Sequence, residues 1–284
     1  MGLPGFSHAN IARWRGDPGP VIFGAKDTMN RFVTVLLVAF GVLVSSASQA
    51  AAQGATWADR GYINIGWGIE SGSSTMTDSR TGTIYDETAT ITTSSTFTSG
   101  SLFDVALGLR IWHNLTIGAG YHQEQNDTEG KLSGAIPSPV FFNRPRTLDQ
   151  NVPGLDRKEA ATHLMIGWVV PIGAKFDVLV SGGPSFFRLT QEVVSDVVPV
   201  ENSNSFATVA AHETITERGK SVTGFNVGMD ATYILWQNDS VRLGAGGFVR
   251  FTQADFDVQM LDAGTTQPTK AGGIQFGFGG RLRF

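Results

Sequence analysis

Charged side chains on alternating segments are the residues of this sequence that could do chemistry. Each segment alternates apolar residues with polar or small ones, so its charges share one face. This face carries Glu70, Asp104, Arg110, His122, Glu124, His163, Asp177, Asp230, Arg242, Arg250, Arg281 and Arg283. Because buried charges must be paired to offset their desolvation, the mixture of signs predicts an internal ion-pair network. A narrow, charge-lined ion path is the functional alternative.

Catalytic and metal-binding patterns are weak by comparison. The chain has no cysteine, which excludes disulfides, thiolate metal sites and a cysteine nucleophile. None of its five histidines stands in a His-x-Ser pattern, and His212-Glu213 has the character of a solvated surface pair. No short spacing marks a His/Glu/Asp metal cluster, although the sequence alone leaves one open. We therefore expect no catalytic residues, no cofactor and no dedicated metal ligands.

The composition of the 284-residue chain excludes other classes. The formal net charge of -4 provides no basic surface for nucleic acid. Charged residues make up 16% of the chain, fewer than the roughly 25% usual in soluble domains. No apolar run reaches the roughly 20 residues of a membrane-spanning helix. A membrane-spanning helix therefore does not explain the low content of charged residues. The explanation must come from the segments that carry the charged face.

The amino-terminal region predicts export. Met29-Asn30-Arg31 is a short basic head, residues 32–44 carry no charge, and small residues follow up to Ala52. This pattern is typical of a signal peptide over residues 29–52, with residues 1–28 as an upstream extension that the native protein lacks. A short buried helix is the alternative. The working domain is then 53–284.

Eight segments with a period of two follow. They begin near Tyr62, Phe103, Leu115, Leu164, Phe176, Phe225, Val241 and Ile274. Tight turns join the second to the third, the fourth to the fifth and the sixth to the seventh. The other links, 71–100, 125–160, 192–218 and 253–270, are long and polar. Short turns on one rim and long loops on the other predict an all-β, eight-stranded antiparallel up-and-down transmembrane β-barrel.

The two faces of these strands differ in side-chain size and polarity, and this difference indicates which face lines the interior and which contacts lipid. Eight strands enclose an interior only just wide enough for side chains, and the glycine-rich polar face fits it better than the bulky apolar one. The apolar face is therefore expected to contact lipid. Trp112, Trp168, Phe176, Tyr233 and Trp236 lie near the short turns, as in an interfacial aromatic belt. A soluble β-barrel is the main alternative.

The run from Gly277 to Phe284 ends in an aromatic residue preceded by alternating apolar positions. With the signal peptide and the eight strands, it resembles the small outer-membrane β-barrel superfamily of the OmpA transmembrane-domain and OmpX type. The resemblance implies a multi-pass protein of the Gram-negative outer membrane. It also implies that Phe276, Phe278, Leu282 and Phe284 are the signal read by the barrel-assembly machinery.

One predicted loop, residues 136–146, stands out. Phe141 and Phe142 offer apolar area, while Arg144 and Arg146 could meet anionic groups such as lipopolysaccharide phosphate. The alternative is a loop that folds back over the barrel mouth. The Thr/Ser-rich stretch 88–99 is expected to extend the first two strands into a surface hairpin.

These patterns favour a monomeric outer-membrane protein with a structural or surface-interaction role, in envelope integrity, adhesion or ligand contact. Its expected partners are outer-membrane lipid and lipopolysaccharide, with the assembly machinery during biogenesis and no nucleic acid. The second hypothesis is a narrow pore for small solutes or ions. The third is a lipid A-modifying enzyme.

Overall fold

A computed structural model describes residues 15–16, 57–71, 74–97, 100–201, 206–259 and 266–284. The predicted signal peptide and nearly all of the predicted upstream extension lie outside these residues. The described elements are β-strands, and all of their pairings are antiparallel, which confirms the all-β prediction.

The described ranges contain no helix long and apolar enough to cross a membrane.

The described residues form twelve strands, where eight were predicted. They are β1 (Arg15–Gly16), β2 (Gly61–Ser71), β3 (Ser74–Ile84), β4 (Glu87–Phe97), β5 (Gly100–Trp112), β6 (Leu115–Ile136), β7 (Arg146–Ile172), β8 (Phe176–Glu201), β9 (Val209–Gln237), β10 (Arg242–Gln259), β11 (Thr266–Ala271) and β12 (Ile274–Arg283).

Eight of these strands form one continuous series of pairs. The order is β2, β5, β6, β7, β8, β9, β10 and β12, and β12 pairs in turn with β2. Each strand of the series therefore has a hydrogen-bonded partner on both edges, which is how a sheet avoids an open edge. The other strands lie beyond this series: β4 pairs with β3 and β6, β11 pairs with β10, and β1 pairs with β3.

The extra strands and much of the added strand length occupy segments predicted as long loops, and that prediction is wrong for most of their residues. β3 and β4 form a hairpin within 71–100, and β6 to β9 continue through most of 125–160 and 192–218. Tyr85 and Asp86, with φ values of 52° and 59°, form the two-residue turn of the β3–β4 hairpin. Positive φ at both central residues suits the right-handed twist of the flanking strands.

Alternation along β2 shows why these segments become strands. Ile65, Trp67 and Ile69 are exposed on its outward face, whereas Asn64 and Glu70 are buried. Branched and aromatic side chains at every second position favour a pleated strand with two different faces.

An apolar belt covers the outward face of the eight-strand series on the side of the short turns. Its exposed side chains include Ile65, Trp67, Ile69, Phe103, Leu107, Leu109, Ile111, Ile117, Tyr121, Leu164, Ile166, Trp168, Phe186, Phe225, Val227, Met229, Tyr233, Leu235, Leu243, Phe276 and Phe278. The inward face at this level carries buried charged and polar side chains together with a small apolar cluster of Trp57, Tyr62, Ala106, Met165, Val169 and Leu179.

Farther from the short turns, the inward face becomes apolar. A cluster there contains Ala89, Ile91, Leu132, Ile136, Leu148, Val152, Leu155, Val194, Val197 and Ala211, all buried. Register shifts between Thr128 and Gly130 and between Val194 and Asp196 adjust the strands that enter this region. The long strands thus enclose a charge-rich interior with some apolar side chains inside the belt and an apolar core beyond it.

Candidate functional site: the buried charge network

Three ion pairs cross the interior at the level of the belt. Arg281 and Arg283 lie two residues apart on β12, so both side chains point inward. Arg281 holds Asp230 of β9 through two bonds, Nε to Oδ1 at 3.0 Å and Nη2 to Oδ2 at 2.7 Å. Such two-point pairing is the strong form of an arginine–carboxylate contact.

Arg283 lies in the same interior and has partners on three other strands. Its Nη2 lies 3.1 Å from Oδ1 of Asp177, and its Nη1 donates to Oδ1 of Asn64 at 2.7 Å. It also donates to the Thr232 hydroxyl and lies over the ring of Tyr62. Arg283 is only 1% exposed, so these contacts replace its hydration.

The third crossing pair joins β10 to β5. Arg250 donates from Nη1 to Oδ2 of Asp104 at 2.6 Å and from Nη2 to Oδ1 at 3.2 Å. A cavity of about 20 Å³ remains between Asn64, Asp104 and Arg250, which is room for about one water molecule. Side chains of β2, β5 and β10 therefore meet around this small cavity.

Arg110 and Arg242 are half-buried near the short turns. Arg110 donates to the backbone oxygen of Trp57, and Arg242 pairs with Asp59. Trp57 is buried, and its backbone N–H donates to Oδ1 of Asn114 at 2.8 Å. The segment before β2 thus closes the short-turn end of the interior. Our sequence interpretation missed Trp57 and Asp59, because both precede the first alternating segment.

A chain of polar side chains lies on the far side of the ion pairs. Nδ1 of His122 is 2.8 Å from Nε2 of His163, and Nδ1 of His163 is 2.7 Å from Oγ of Ser185. Asn226 donates to the same hydroxyl at 2.8 Å. His122, His163 and Ser185 are 0% exposed, so neither solvent nor lipid reaches this serine–histidine pair.

Three carboxylates gather next to these histidines. Glu124 of β6 lies directly opposite Glu159 of β7, and Glu70 approaches from β2. Nη2 of Arg157 lies 3.3 Å from Oε2 of Glu159, and the N–H of Gly272 donates to Oε1 at 2.8 Å. Glu70, His122 and Glu159 each offer one ligand atom, and these atoms lie within 4.8 Å of one another. Such a set could hold a metal ion.

Taken together, the structure buries ten of the twelve residues on the charged face and leaves Arg110 and Arg242 half-buried. The sequence interpretation did not find Ser185, Asn226 or Gln275, which bond to His163, to each other and to Glu70 and His122. All three are neutral polar residues at inward positions of their strands. That parity is the signal that could have identified them.

The residues of the predicted assembly signal lie on β12 or next to it. Phe276 and Phe278 are exposed on the outward face, the latter at 74%, and Leu282 is half-buried. The backbone of Phe284 pairs with Gly61 at the start of β2.

The structure separates the two arginines that were predicted to contact ligands from one loop. Arg144 is exposed beside the ring of Phe141, and Phe142 is exposed as well. Arg146 instead is 7% exposed and donates from Nη2 to Oε1 of Glu201 and to the Pro137 oxygen, both at 2.7 Å. The first residue of β7 is thus held inside the fold, and Arg146 is not free to meet an external anion.

Arg146, Glu201 and Tyr85 contact one another at the far end of the strand extensions, a region called the tip below, and this environment shifts the pKa of each group. The hydrogen bond from Arg146 lowers the pKa of Glu201, and the same contact raises the pKa of Arg146. Burial, followed by the charge of Glu201, raises the pKa of Tyr85, whose hydroxyl donates to Glu201 at 3.2 Å. The three side chains join β7, β8 and the β3–β4 turn.

Comparison with known proteins reveals only distant similarity. No family model matches the sequence, and no curated protein matches it. Among solved structures, the Neisserial surface protein A is 13% identical, with a TM-score of 0.39 over 79% of this chain and 97% of its own. The outer membrane protease OmpT from Escherichia coli is 9% identical, with a TM-score of 0.35 over 81% and 95%.

The translocator domain of the autotransporter NalP from Neisseria meningitidis is 12% identical, with a TM-score of 0.27 over 87% and 97%. Similarities of this strength do not assign the chain to the family of any of these proteins.

Proposed function

We propose that this chain is an integral outer-membrane protein in which β2, β5–β10 and β12 form a closed eight-stranded antiparallel barrel. The apolar belt is the observation that carries this proposal. Soluble monomers rarely expose contiguous apolar patches larger than a few hundred Å², and the belt extends around all eight strands. Lipid is the solvent that such a surface requires, and the paired edges leave no strand edge open to it.

Aromatic residues at the short-turn end support a boundary between lipid and water at that end of the belt. Trp112, Trp168, Tyr233 and Trp236 are all exposed at or near the ends of their strands. Amphipathic rings concentrate at the boundary between lipid and water. The short turns would then face the periplasm, and the long strand extensions would face outward from the cell.

Cell fractionation with heat-modifiable gel mobility tests the proposed location. The folded protein should stay in the membrane through carbonate and high-salt washes, leave it in detergent, and migrate differently before and after boiling. Release by carbonate or salt, together with unchanged mobility on boiling, would show that the belt does not contact lipid.

The ion pairs inside the series favour a structural or surface-interaction role over transport. Three of them cross the interior at the level of the belt, and the cavity beside Asp104 and Arg250 has room for about one water, which favours a plugged interior. In planar bilayers we expect small, infrequent conductance. Removing one crossing pair with Asp104→Ala and Arg250→Ala together should increase it. Large, steady currents from the unmodified protein would instead support the narrow-pore hypothesis.

Surface interaction through the strand extensions fits their length. β7, β8 and β9 have 27, 26 and 29 residues, whereas a tilted strand crosses a bilayer in about 9–11. Roughly 50 Å of strand separates Tyr121 in the belt from Ile136 at the far end of β6, at about 3.3 Å per residue. Adhesion or ligand contact would then occur well away from the lipid, through exposed groups such as Phe141, Phe142 and Arg144.

Cations just beyond the belt are better placed to bind lipopolysaccharide phosphate than Arg144, which lies at the distant tip. Lys158 and Arg188 are exposed and lie on the neighbouring strands β7 and β8, just beyond the belt. Charge reversal of both residues should weaken lipopolysaccharide binding, because phosphates at the membrane surface are within their reach. Arg144→Glu at the distant tip is the matched control and should have little effect. Equal losses from both variants would remove this assignment.

The remaining parts of the proposal concern biogenesis and assembly. Phe276, Phe278, Leu282 and Phe284 would be read by the barrel-assembly machinery, and the folded protein would be a monomer. Replacing Phe284 by Ser should reduce insertion without changing the interior contacts. Unchanged insertion would exclude Phe284 from that signal.

A further inference from the structure

A buried group of three side chains beside the ion pairs has the composition of a metal site. Glu70, His122 and Glu159 come from β2, β6 and β7, and their ligand atoms lie within 4.8 Å of one another. We propose that these residues bind one divalent transition-metal ion, which ties three strands together at the end of the polar interior. The inference is independent of the surface role proposed above.

The balance of charge around this group favours a cation. Three buried carboxylates, Glu70, Glu124 and Glu159, lie close together, and among the described contacts only Glu159 of the three bonds to a guanidinium, that of Arg157, at 3.3 Å. Glu124 and Glu159 are directly opposite one another across β6 and β7, where like charges destabilise a sheet. When all three are ionised, a divalent cation would balance the excess of negative charge.

The hydrogen bonds of His122 can prepare it as a ligand. In one direction along the polar chain, Nδ1 of His122 donates to His163, and His163 donates to Ser185. That direction leaves a lone pair on Nε2 of His122, 4.0 Å from Oε1 of Glu159. Metal-binding histidines are commonly oriented by a partner on the other ring nitrogen.

Gln275 provides a second, independent observation. Its side chain is 0% exposed, and its Nε2 lies 2.7 Å from Oε2 of Glu70 and 3.3 Å from Nε2 of His122. Its Oε1 is buried with no hydrogen-bond partner among the described residues. A half-turn of the amide exchanges the two atoms and directs this oxygen toward the metal ligands. Gln275 can therefore act as a fourth ligand or hold a metal-bound water.

Zinc is the ion that matches one imidazole and several oxygens best. Bonds of about 2.0–2.1 Å place tetrahedral ligands roughly 3.3 Å apart, so the three side chains would draw together on binding. Because all three are buried, the ion would have a structural rather than a catalytic role.

The test uses the full, untagged chain folded in detergent, in a His113→Ala, His212→Ala background that removes two exposed imidazoles. After treatment with EDTA and dialysis against zinc, elemental analysis should find about one zinc per chain. X-ray absorption at the zinc edge should show one imidazole among oxygen ligands. Less than about a tenth of an equivalent, or two or more imidazoles, would overturn the proposal.

Variants locate the ion within the cluster. Glu70→Gln with Glu159→Gln should reduce zinc affinity at least about 100-fold, since both change ligands. Glu124→Gln is the matched control, because it removes an adjacent carboxylate that is not a ligand, and it should retain one equivalent. Ser185→Ala, which acts only through His163, should reduce affinity roughly 10-fold. Parent-like affinity in the double variant would contradict the assignment, and the parent's own zinc spectrum decides the matter if that variant does not fold.

Discussion

Arg283 of β12 and Asp177 of β8 form an ion pair across the interior, with 3.1 Å between Nη2 and Oδ1. The two strands are separated in the pairing order by β9 and β10. This contact therefore joins two strands of the series that are not neighbours, which the hydrogen-bond ladders cannot do. Arg281 with Asp230 and Arg250 with Asp104 also join strands that are not neighbours.

Removing one partner of this pair should destabilise the protein strongly. Arg283→Ala leaves Asp177 buried without its guanidinium, and such a change costs about 3–5 kcal/mol. Urea unfolding in detergent, followed by heat-modifiable mobility, measures the loss. Replacing both residues, with Arg283→Met and Asp177→Leu, should restore part of the stability, because no uncompensated charge remains. A double variant less stable than Arg283→Ala would argue against this account.

A charge placed on the apolar belt should be costly in membranes. Leu107 is at the centre of the outward apolar positions of β5 and is 53% exposed. Leu107→Arg should reduce the free energy of unfolding in lipid vesicles by about 2–4 kcal/mol, the cost of a cation near the bilayer midplane. Thr147→Arg, an exposed position on the distant part of β7, is the matched control and should have almost no effect. Equal effects at the two sites would mean that the belt is not in lipid.

The apolar core beyond the belt should unfold separately from the rest. Leu132 is fully buried in the cluster that also contains Leu148 and Val152. Leu132→Ala should cost about 2–5 kcal/mol, because it removes apolar contacts and leaves a cavity. Limited proteolysis should then cut the strand extensions, while the part within the belt keeps its heat-modifiable mobility. Loss of both together would show a single cooperative unit.

Acid should loosen the tip formed by Arg146, Glu201 and Tyr85. The pKa of Glu201 is lowered from its ordinary value of 4.5 by the hydrogen bond from Arg146. A carboxylate with a lowered folded pKa contributes stability that is full above the ordinary value and is lost as pH falls through the folded one. Protection against hydrogen exchange around residues 137–146, measured relative to the intrinsic rate at each pH, should therefore fall in this acidic window. Glu201→Gln should exchange faster at neutral pH and show much less dependence on acid.

The belt portion of the fold could be predicted from the sequence because one period governs it. Ile65, Trp67 and Ile69 alternate with inward polar residues, so the pattern indicates the strand and assigns its two faces. The tight turns after β5, β7 and β9 also follow from short links, such as the one at His113 and Asn114 with its positive φ at His113. These features are local and need no knowledge of distant partners.

The extensions beyond the belt were mispredicted as loops because their faces exchange character. Outside the belt, the outward residues become polar and the inward ones, such as Leu132 and Leu155, become apolar. Register shifts at Thr128 and Val194 interrupt the period at this transition. Rich in threonine and serine, segments such as β4 then have the composition of solvated loops.

Partners within the interior could not be predicted for a different reason. Arg283 and Asp177 are 106 residues apart, and several acidic residues share the inward face. Which acidic residue pairs with which arginine depends on the stagger of the strands around the series. That offset is set by the pairings themselves and leaves no mark in a single sequence.

The exchange of faces along the long strands has a consequence for folding. If β7 of the proposed barrel slipped by one residue against β6, the buried His163 of its inner part would turn toward lipid, and leucines of its outer part, such as Leu148 and Leu155, would turn toward water. Burying a polar side chain in lipid and exposing leucines to water are each unfavourable, and one slip would cause both. Lipid around the inner part and water around the outer part therefore both oppose the shifted register. Neither half of a misaligned strand would be stable.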